Sequence, residues 1–517
     1  MNVLIINLTR FGDLIQTQPV ISGYNSLGHT VGLVCLENFA SATAMLDGVH
    51  TPFSFPGAKL LADLEKDWRL AVKEAKAFKS SVLNNFSAER VVNLTPSVAT
   101  RLQTYDLAAG RSDVAGFCVD EFGFNADVSP WAAFLQLAGG NRGASPFNIC
   151  DIFRRTAGLD REGNELALAQ PNEEIMTEAA AMLGKHAHKD AKGWIALQMG
   201  ASEDRRRWPV KHFAAVADML WERDKLMPVL LGTKGEAELG ERFETLAQCP
   251  SANLIGETSL TQLGAVLRHS TGLVTNDTGT MHLAAGLAVP VCAVFLATAQ
   301  PWDTGPYRAG NICLEPDMSC HPCEFGKPCE FGNRCRESVT PECVYAALFT
   351  AIDDAPLVAH RGARVWRSRI GEDGFMDLES LSGHDGEERT VWIRMQRGHY
   401  LPFLDGKPVA ARTGLAQELS VETAAELSKT LTSGHDMLFL LSQQGMLLAR
   451  NPREQAKTKF LQTWQRFQNV MAGDGRLNIL GSLWMFQTQQ CGDNLSALLQ
   501  ITEKYKGLFA SLKDEFA

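Results

Sequence analysis

The sequence predicts an α/β chain: two successive parallel sheets joined by a linker and followed by an α+β appendage. Three observations predict it. Short β-branched runs alternate with helical periods twice over, a polar Lys-rich stretch, GKHAHKDAKG, separates the two rounds, and the alternation stops near Asp353. Strand-helix alternation is the grammar of βαβ units, whose crossovers force the strands parallel. The boundaries read from it are residues 1–185, 186–353 and 354–517.

In the first round NVLIINL is a strand, an amphipathic helix runs from Asp13 to Leu27, and TVGLVCLE and ERVVNLTPS are further strands. Residues 122–159 read as mostly helical, a layer closing one side of this first domain. The second round supplies strands at GWIALQMG, MPVLLGT, ANLIGE, TGLVTN and VCAVFLA, with helices at His212 to Arg223 and Leu260 to Arg268. Two such sheets in tandem place a cleft where the carboxyl ends of their strands face each other. In the appendage, ARVWRSRIGEDGFMDLESL and RTVWIRMQRGHYLPFLDG each read as two strands around a turn, and helices follow from Val421. It holds no interpretable motif.

Composition narrows the function classes. A net charge of −10 argues against bulk affinity for nucleic acid. The opening MNVLIINL is too short and lacks the basic flank of a signal peptide, so it reads as a strand. No apolar run reaches the roughly 20 residues of a membrane-spanning helix, which leaves room only for peripheral membrane contact. Twelve cysteines without an export signal point to a reducing, cytoplasmic setting.

Two Asp-Thr-Gly triplets, at Asp277 and Asp303, raise the reading of an aspartic protease. The grammar argues against it, because the first triplet runs directly into the small-residue helical pattern MHLAAGLA and the second follows by only 26 positions. What remains at Asp277 is a strand, a tight turn and a helix. Gly279 permits close backbone approach there, and the amides of the next turn suit a phosphate as well as they suit an ordinary capped turn. Arg205, Arg206 and Arg207, in ASEDRRRWPVKHF, stand at another strand end, where guanidinium groups could grip phosphate or form a solvated turn. Glu236 is an acceptor for a ribose hydroxyl or a plain first-turn acid. Asp13 is placed at the first strand-to-helix turn, facing the cleft from the opposite domain, as a helix cap or a catalytic carboxylate.

Cys320, Cys323, Cys329 and Cys335 are spaced x2, x5 and x5. Such a set could bind Zn²⁺ or iron tetrahedrally, or stay as reduced thiols or a local disulfide. A role in the chemistry is not assigned to them.

The segments LTRFGDLIQTQP, RRWP, NDTGTMHLAAG and CHPCEFGKPCEFGNRCRESVTPECV occur in the order in which they resemble the family 9 glycosyltransferases, the ADP-heptose:lipopolysaccharide heptosyltransferases. The resemblance covers residues 1 to about 352. It implies a GT-B fold of two Rossmann-like domains, with the nucleotide sugar held by the second, and inverting transfer without a catalytic metal. It implies Asp13 as base, Asp277 heading a pyrophosphate loop of Thr278, Gly279, Thr280 and His282, and Glu236 at the ribose. Arg206 stands where the family usually has Lys. The donor implied is a nucleotide sugar such as ADP-heptose; the acceptor is a lipopolysaccharide core, another glycan or a protein, reached from the cytoplasmic face of a membrane. The rival expectations are a nucleotide-sugar epimerase of the same architecture and a non-catalytic binding module.

Overall fold

A computed structural model gives the structure of the chain, and it describes all residues except 111–112, 128, 142, 160–164, 359–360 and 410–411. The chain divides into two compact units, residues 1–115 with 147–383, and residues 116–146 with 384–517.

The first unit holds two sheets. One contains β1 (Asn2–Ile6), β2 (Thr30–Leu36), β3 (Val49–Phe55), β4 (Arg90–Asn93) and β5 (Asp113–Gly116), in the order β3-β2-β1-β4-β5. β1 pairs in parallel with β2 and β4. Val3 to Ile6 are wholly buried, as an apolar run covered on both sheet faces requires. The expected first helix is two, Phe11–Ile15 and Gln18–Ser26, with Pro19 in the first turn of the second.

The second sheet has eight strands: β6 (Gly193–Gln198), β7 (Leu226–Leu231), β8 (Ala252–Asn253), β9 (Ser270–Asn276), β10 (Val291–Val294), β11 (Ile312–Pro316), β12 (Ala363–Ile370) and β13 (Met376–Ser380). Their order is β13-β12-β11-β10-β9-β6-β7-β8. The strand order reverses beside β6, whose neighbours are β7 and β9, and at such a switch point the loops after two strands part to leave a crevice. Together the two sheets give the GT-B fold.

The strands read in the appendage at ARVWRSRIGEDGFMDLESL are present, but they pair antiparallel onto β11 and lengthen the second sheet. Ala363 and Val365 belong to its core, with Trp208, Phe213, Val274 and Leu314. The Trp366 indole donates to the buried Glu315 carboxylate at 2.9 Å.

RTVWIRMQRGHYLPFL, expected as strands, is helix Glu388–Leu404. Val391, Met395, His399 and Phe403 fall four apart and are buried, which is a helical stripe that outweighs local β-propensity. The second unit is a helical assembly of this element with Pro130–Leu137, Val421–Arg450, Glu454–Ala472, Asn478–Gln490 and Leu495–Asp514. Phe467, Trp484, Tyr505 and Phe509 form edge-on aromatic pairs at its centre. Residues 116–146 belong here and not, as expected, to a layer on the first sheet. Helix Pro130–Leu137 buries Trp131 and Phe134 and packs against helix Asn478–Gln490.

Candidate functional site

The turn after β1 is built on Asn7. Its buried amide donates to the Asp13 carbonyl at 3.1 Å and to Thr17 Oγ1 at 2.7 Å, and Thr9 Oγ1 donates to its oxygen. This brings Asp13 into the first turn of helix Phe11–Ile15, with its carboxylate 3.4 Å from the Arg10 amide. Burial raises the Asp13 pKa above the usual aspartate value, and the Arg10 amide, the Thr9 hydroxyl and the Arg10 charge only partly offset it. Asp13 is not the N-cap, which is Arg10; it stands at the third helical position with its carboxylate turned back to the Arg10 amide, and its raised pKa makes that carboxylate a stronger base than an exposed one.

The second turn follows β9. Asn276, wholly buried, donates to the carbonyls of Met199 at 2.9 Å and Gly200 at 3.0 Å, and accepts from the Trp208 amide at 2.9 Å. One side chain thus ties the end of β9 to the end of β6 and to the arginine turn. Thr278 is the N-cap of helix Gly279–Gly286, and its hydroxyl lies 3.1 Å from that of Thr275. Thr280 and His282 are buried within the helix. Burial lowers the His282 pKa to about 3, so the ring is neutral, and among the described residues its Nδ1 has no hydrogen-bond partner. A buried polar atom without a partner carries a desolvation cost that a ligand can remove.

Of the three arginines only Arg206 faces this turn. Its Nε donates to Thr298 Oγ1 at 2.7 Å, and its Nη1 lies 3.2 Å from Ser202 Oγ and 3.7 Å from the Asp277 carboxylate. Arg205 binds Glu203 at 2.7 Å and the Lys327 carbonyl at 2.8 Å, while Arg207 pairs with Asp204 at 3.0 Å. Those two are engaged by acids and a carbonyl around their own turn and do not reach the Asp277 turn.

Glu236 Oε2 accepts from the Thr233 amide at 2.6 Å and the Thr233 hydroxyl at 3.0 Å, a capping box. Its other oxygen lies over Gly200, where a Cβ would stand only 1.4 Å from it. The carboxylate is therefore held at the rim of the crevice beside the end of β6.

The two turns meet. A Cβ on Gly12 would lie 3.3 Å from both Gly279 Cα and His282 Cδ2, and one on Gly279 would lie 2.6 Å from the Phe11 ring. Glycine at both positions lets the helix carrying Asp13 and the amino end of helix Gly279–Gly286 approach across the cleft. An anion at that amino end would face the Arg206 guanidinium and the helix dipole on one side and the Asp13 turn on the other.

Cys320, Cys323, Cys329 and Cys335 line one cavity of about 280 Å³, together with His321, Glu324 and Arg334. Metal ligation is one of the alternatives for them; among the described residues, no three of these sulfurs come within 4.8 Å of one another. A closed tetrathiolate, with metal–sulfur bonds of about 2.3 Å, needs them closer. None of the twelve cysteines is in a disulfide.

Sequence reasoning missed Asn276, Thr298 and Asn7. Asn276 ends β9 and Asn7 directly follows β1, each just before a singled-out turn, which is a usable signal. Thr298 lies in a loop with no motif around it.

Residues 148–334 match the family described as Glycosyltransferase family 9 (heptosyltransferase). The lipopolysaccharide heptosyltransferase 1 of Pseudomonas aeruginosa is 31% identical over 130 residues, which is 25% of this chain and 36% of that protein. The aligned stretch thus spans about a third of that relative's length. Among solved structures, the family 9 glycosyl transferase of Veillonella parvula superposes with a TM-score of 0.53 at 17% identity, covering 68% of this chain and 98% of that one. The E. coli ADP-heptose lps heptosyltransferase II gives 0.51 at 17% identity, covering 69% and 100%. At that identity the structural likeness speaks to the fold.

Proposed function

On the premise that the chain belongs to glycosyltransferase family 9, we propose that it is an inverting transferase that moves a sugar from a nucleoside-diphosphate donor to an acceptor hydroxyl. The observation that carries this reading is the approach of the Asp13 turn to the amino end of helix Gly279–Gly286, with Arg206 beside it. The donor is of the ADP-heptose kind, by analogy with the E. coli neighbour whose name includes it. The acceptor is a glycan, a glycolipid such as a lipopolysaccharide core, or a protein.

Departure of the diphosphate leaves an oxocarbenium-like sugar and a growing negative charge on the β-phosphate. The amides opening helix Gly279–Gly286 and the Arg206 guanidinium meet that charge. Asp277 holds the guanidinium toward the loop. His282 remains neutral and offers its Nδ1 to the anion or to a bound water. Glu236, already fixed by its cap, accepts from a ribose hydroxyl. Asp13, on the opposite face of the sugar, takes the acceptor proton as the new bond forms, which inverts the anomeric centre. The raised pKa of Asp13 suits a base. These groups supply the charge stabilisation that a catalytic cation would otherwise give.

The division of labour follows the sheets: the first Rossmann-like domain meets the acceptor and the second holds the donor. No described helix is long and apolar enough to cross a membrane, and we place the activity at the cytoplasmic face, with peripheral contact to a lipid-linked acceptor.

Product analysis tests the reading. Incubation with ADP-heptose and a glycan panel should yield a new glycoside of inverted configuration. An altered free nucleotide sugar would instead identify an epimerase, and intact donor a binding module.

A further inference from the structure

Arg206 sits on a turn that has little of its own to hold it. The turn is a single 3₁₀ element, Asp204–Arg206, none of whose residues is buried. A flexible arginine on such a turn forfeits side-chain entropy each time it engages a ligand, unless neighbours fix it beforehand.

Besides Ser202, Asp277 and Asn276, the turn's neighbours come from one segment, the cysteine-rich loop that runs from Met318 to the short helix Cys335–Ser338. Its Arg336 reaches the turn twice, with Nη1 3.0 Å from the Asp204 carboxylate and Nε donating to the Arg207 carbonyl at 2.9 Å. Its Lys327 carbonyl accepts from Arg205 at 2.8 Å. The Phe325 ring lies 6.0 Å from the Arg206 guanidinium carbon. These contacts grip Arg206 from both sides in sequence, through Asp204 and Arg205 before it and Arg207 after it.

The loop also holds the acceptor of Arg206. Thr298, whose hydroxyl takes the Nε hydrogen bond, follows Ala297, and Ala297 adopts a left-handed φ of 55°. That conformation is strained for a non-glycine residue and persists only where surroundings impose it. Here the surroundings are two cysteines. The Ala297 carbonyl accepts from the Cys323 amide at 2.8 Å, and the Ala297 amide faces the buried Cys335 sulfur. The loop therefore fixes the donor end and the acceptor end of the same hydrogen bond.

We propose that the cysteine-rich loop is the positioning device for Arg206, and that Arg336 is its principal positioning residue, acting on the bound diphosphate only through the arginine turn. The proposal rests on Arg206 being a diphosphate ligand, as the reading above has it. It gives the cysteine segment a task in donor recognition that does not require any thiol to touch the substrate.

A double-mutant cycle on the full chain tests it, with ADP as the probe and calorimetry as the readout. Arg206→Ala should weaken ADP binding by about tenfold or more. Arg336→Gln should weaken it by roughly three- to tenfold in the native background, yet by less than about twofold when Arg206 is already Ala. Arg336→Lys, which keeps the charge toward Asp204 but cannot make both contacts, should fall between native and Gln, and guards against a variant that merely unfolds. A general structural role would instead give the same loss in both backgrounds, together with a lowered melting temperature. Additive losses, or an Arg336→Gln chain that binds ADP as the native chain does, overturn the clamp while leaving the donor site standing. If Arg206→Ala leaves ADP binding unchanged, the diphosphate reading fails, and the clamp built on it fails too.

Discussion

Gly12 and Gly279 stand so close that a methyl group on either would press on the opposite turn, at 3.3 Å from Gly279 Cα in one case and 3.2 Å from the Gly12 amide nitrogen in the other. Gly279→Ala also drives a Cβ to 2.6 Å from the Phe11 ring. Overpacking of this kind costs about 1–3 kcal/mol, and here it falls on the gap that the two halves of the site must close. The expected outcome is a chain that folds, with a modest drop in melting temperature and turnover reduced by about tenfold or more. Native turnover in Gly279→Ala would show that the close approach is not needed for reaction.

Asp13→Asn separates base from cap. At this third helical position Asn can still accept from the Arg10 amide but takes no proton. Turnover should fall by about 10² to 10⁴ at saturating acceptor while ADP affinity holds. Stability should move the other way. The folded pKa of Asp13 is raised by burial, so the ionised form disfavours the fold at neutral pH, and the native chain regains that loss only as the pH drops into the acid range. The Asn variant should therefore be at least as stable as the native chain at pH 7 in urea titrations. A variant both active and less stable would make Asp13 a cap alone.

His282 gives a pH dependence of opposite sense. Burial holds its folded pKa at about 3, whereas the unfolded chain takes up the proton near pH 6.5. The stability tied to the neutral ring is complete above about pH 6.5 and declines as the pH falls toward 3. Urea midpoints at pH 7.5, 6 and 5 should show this decline in the native chain and a shallower one in His282→Gln. Identical slopes would mean that the ring does not resist protonation in the fold.

Truncation tests where the catalytic unit ends. A chain stopped at Asp353 loses β12 and β13, takes Ala363 and Val365 from the core of the second sheet, and leaves the Glu315 carboxylate without the Trp366 indole. It should aggregate or fail to show an ADP-induced rise in melting temperature. A chain stopped at Gly383 keeps the eight-stranded sheet and should retain that rise. A soluble, ADP-binding chain ending at Asp353 would refute the role given to the two added strands.

The sequence carried the two sheets and the turns at Asp13, Arg206 and Asp277, because buried parallel strands and the glycine-bearing turns after them are local patterns. It did not carry destinations. ARVWRSRI and FMDLES read correctly as strands, yet nothing in them says which sheet edge they join, since pairing is decided by the exposed edge of β11 far away in the chain. RTVWIRMQ misled because Val391, Trp392 and Ile393 favour strands locally, while the four-residue spacing of the buried side chains emerges only over the whole helix. Arg206 was visible as a candidate, but its partners were not: Thr298 hides in a loop, and the contacts of Arg336 depend on how the cysteine segment folds back.

Residues 116–146 pack with residues 384–517, and residues 147–383 are made in between. At about 5–20 residues per second, the ribosome leaves helix Pro130–Leu137 waiting roughly twenty to seventy seconds for helix Asn478–Gln490, which packs against it. During that interval an apolar face that later lies at the heart of a helical assembly is open to water and to other nascent chains. The order of synthesis therefore makes this segment a natural client for a chaperone, and any arrest of translation before the last helices would release a chain whose sheets can be finished but whose adhesive surface is not.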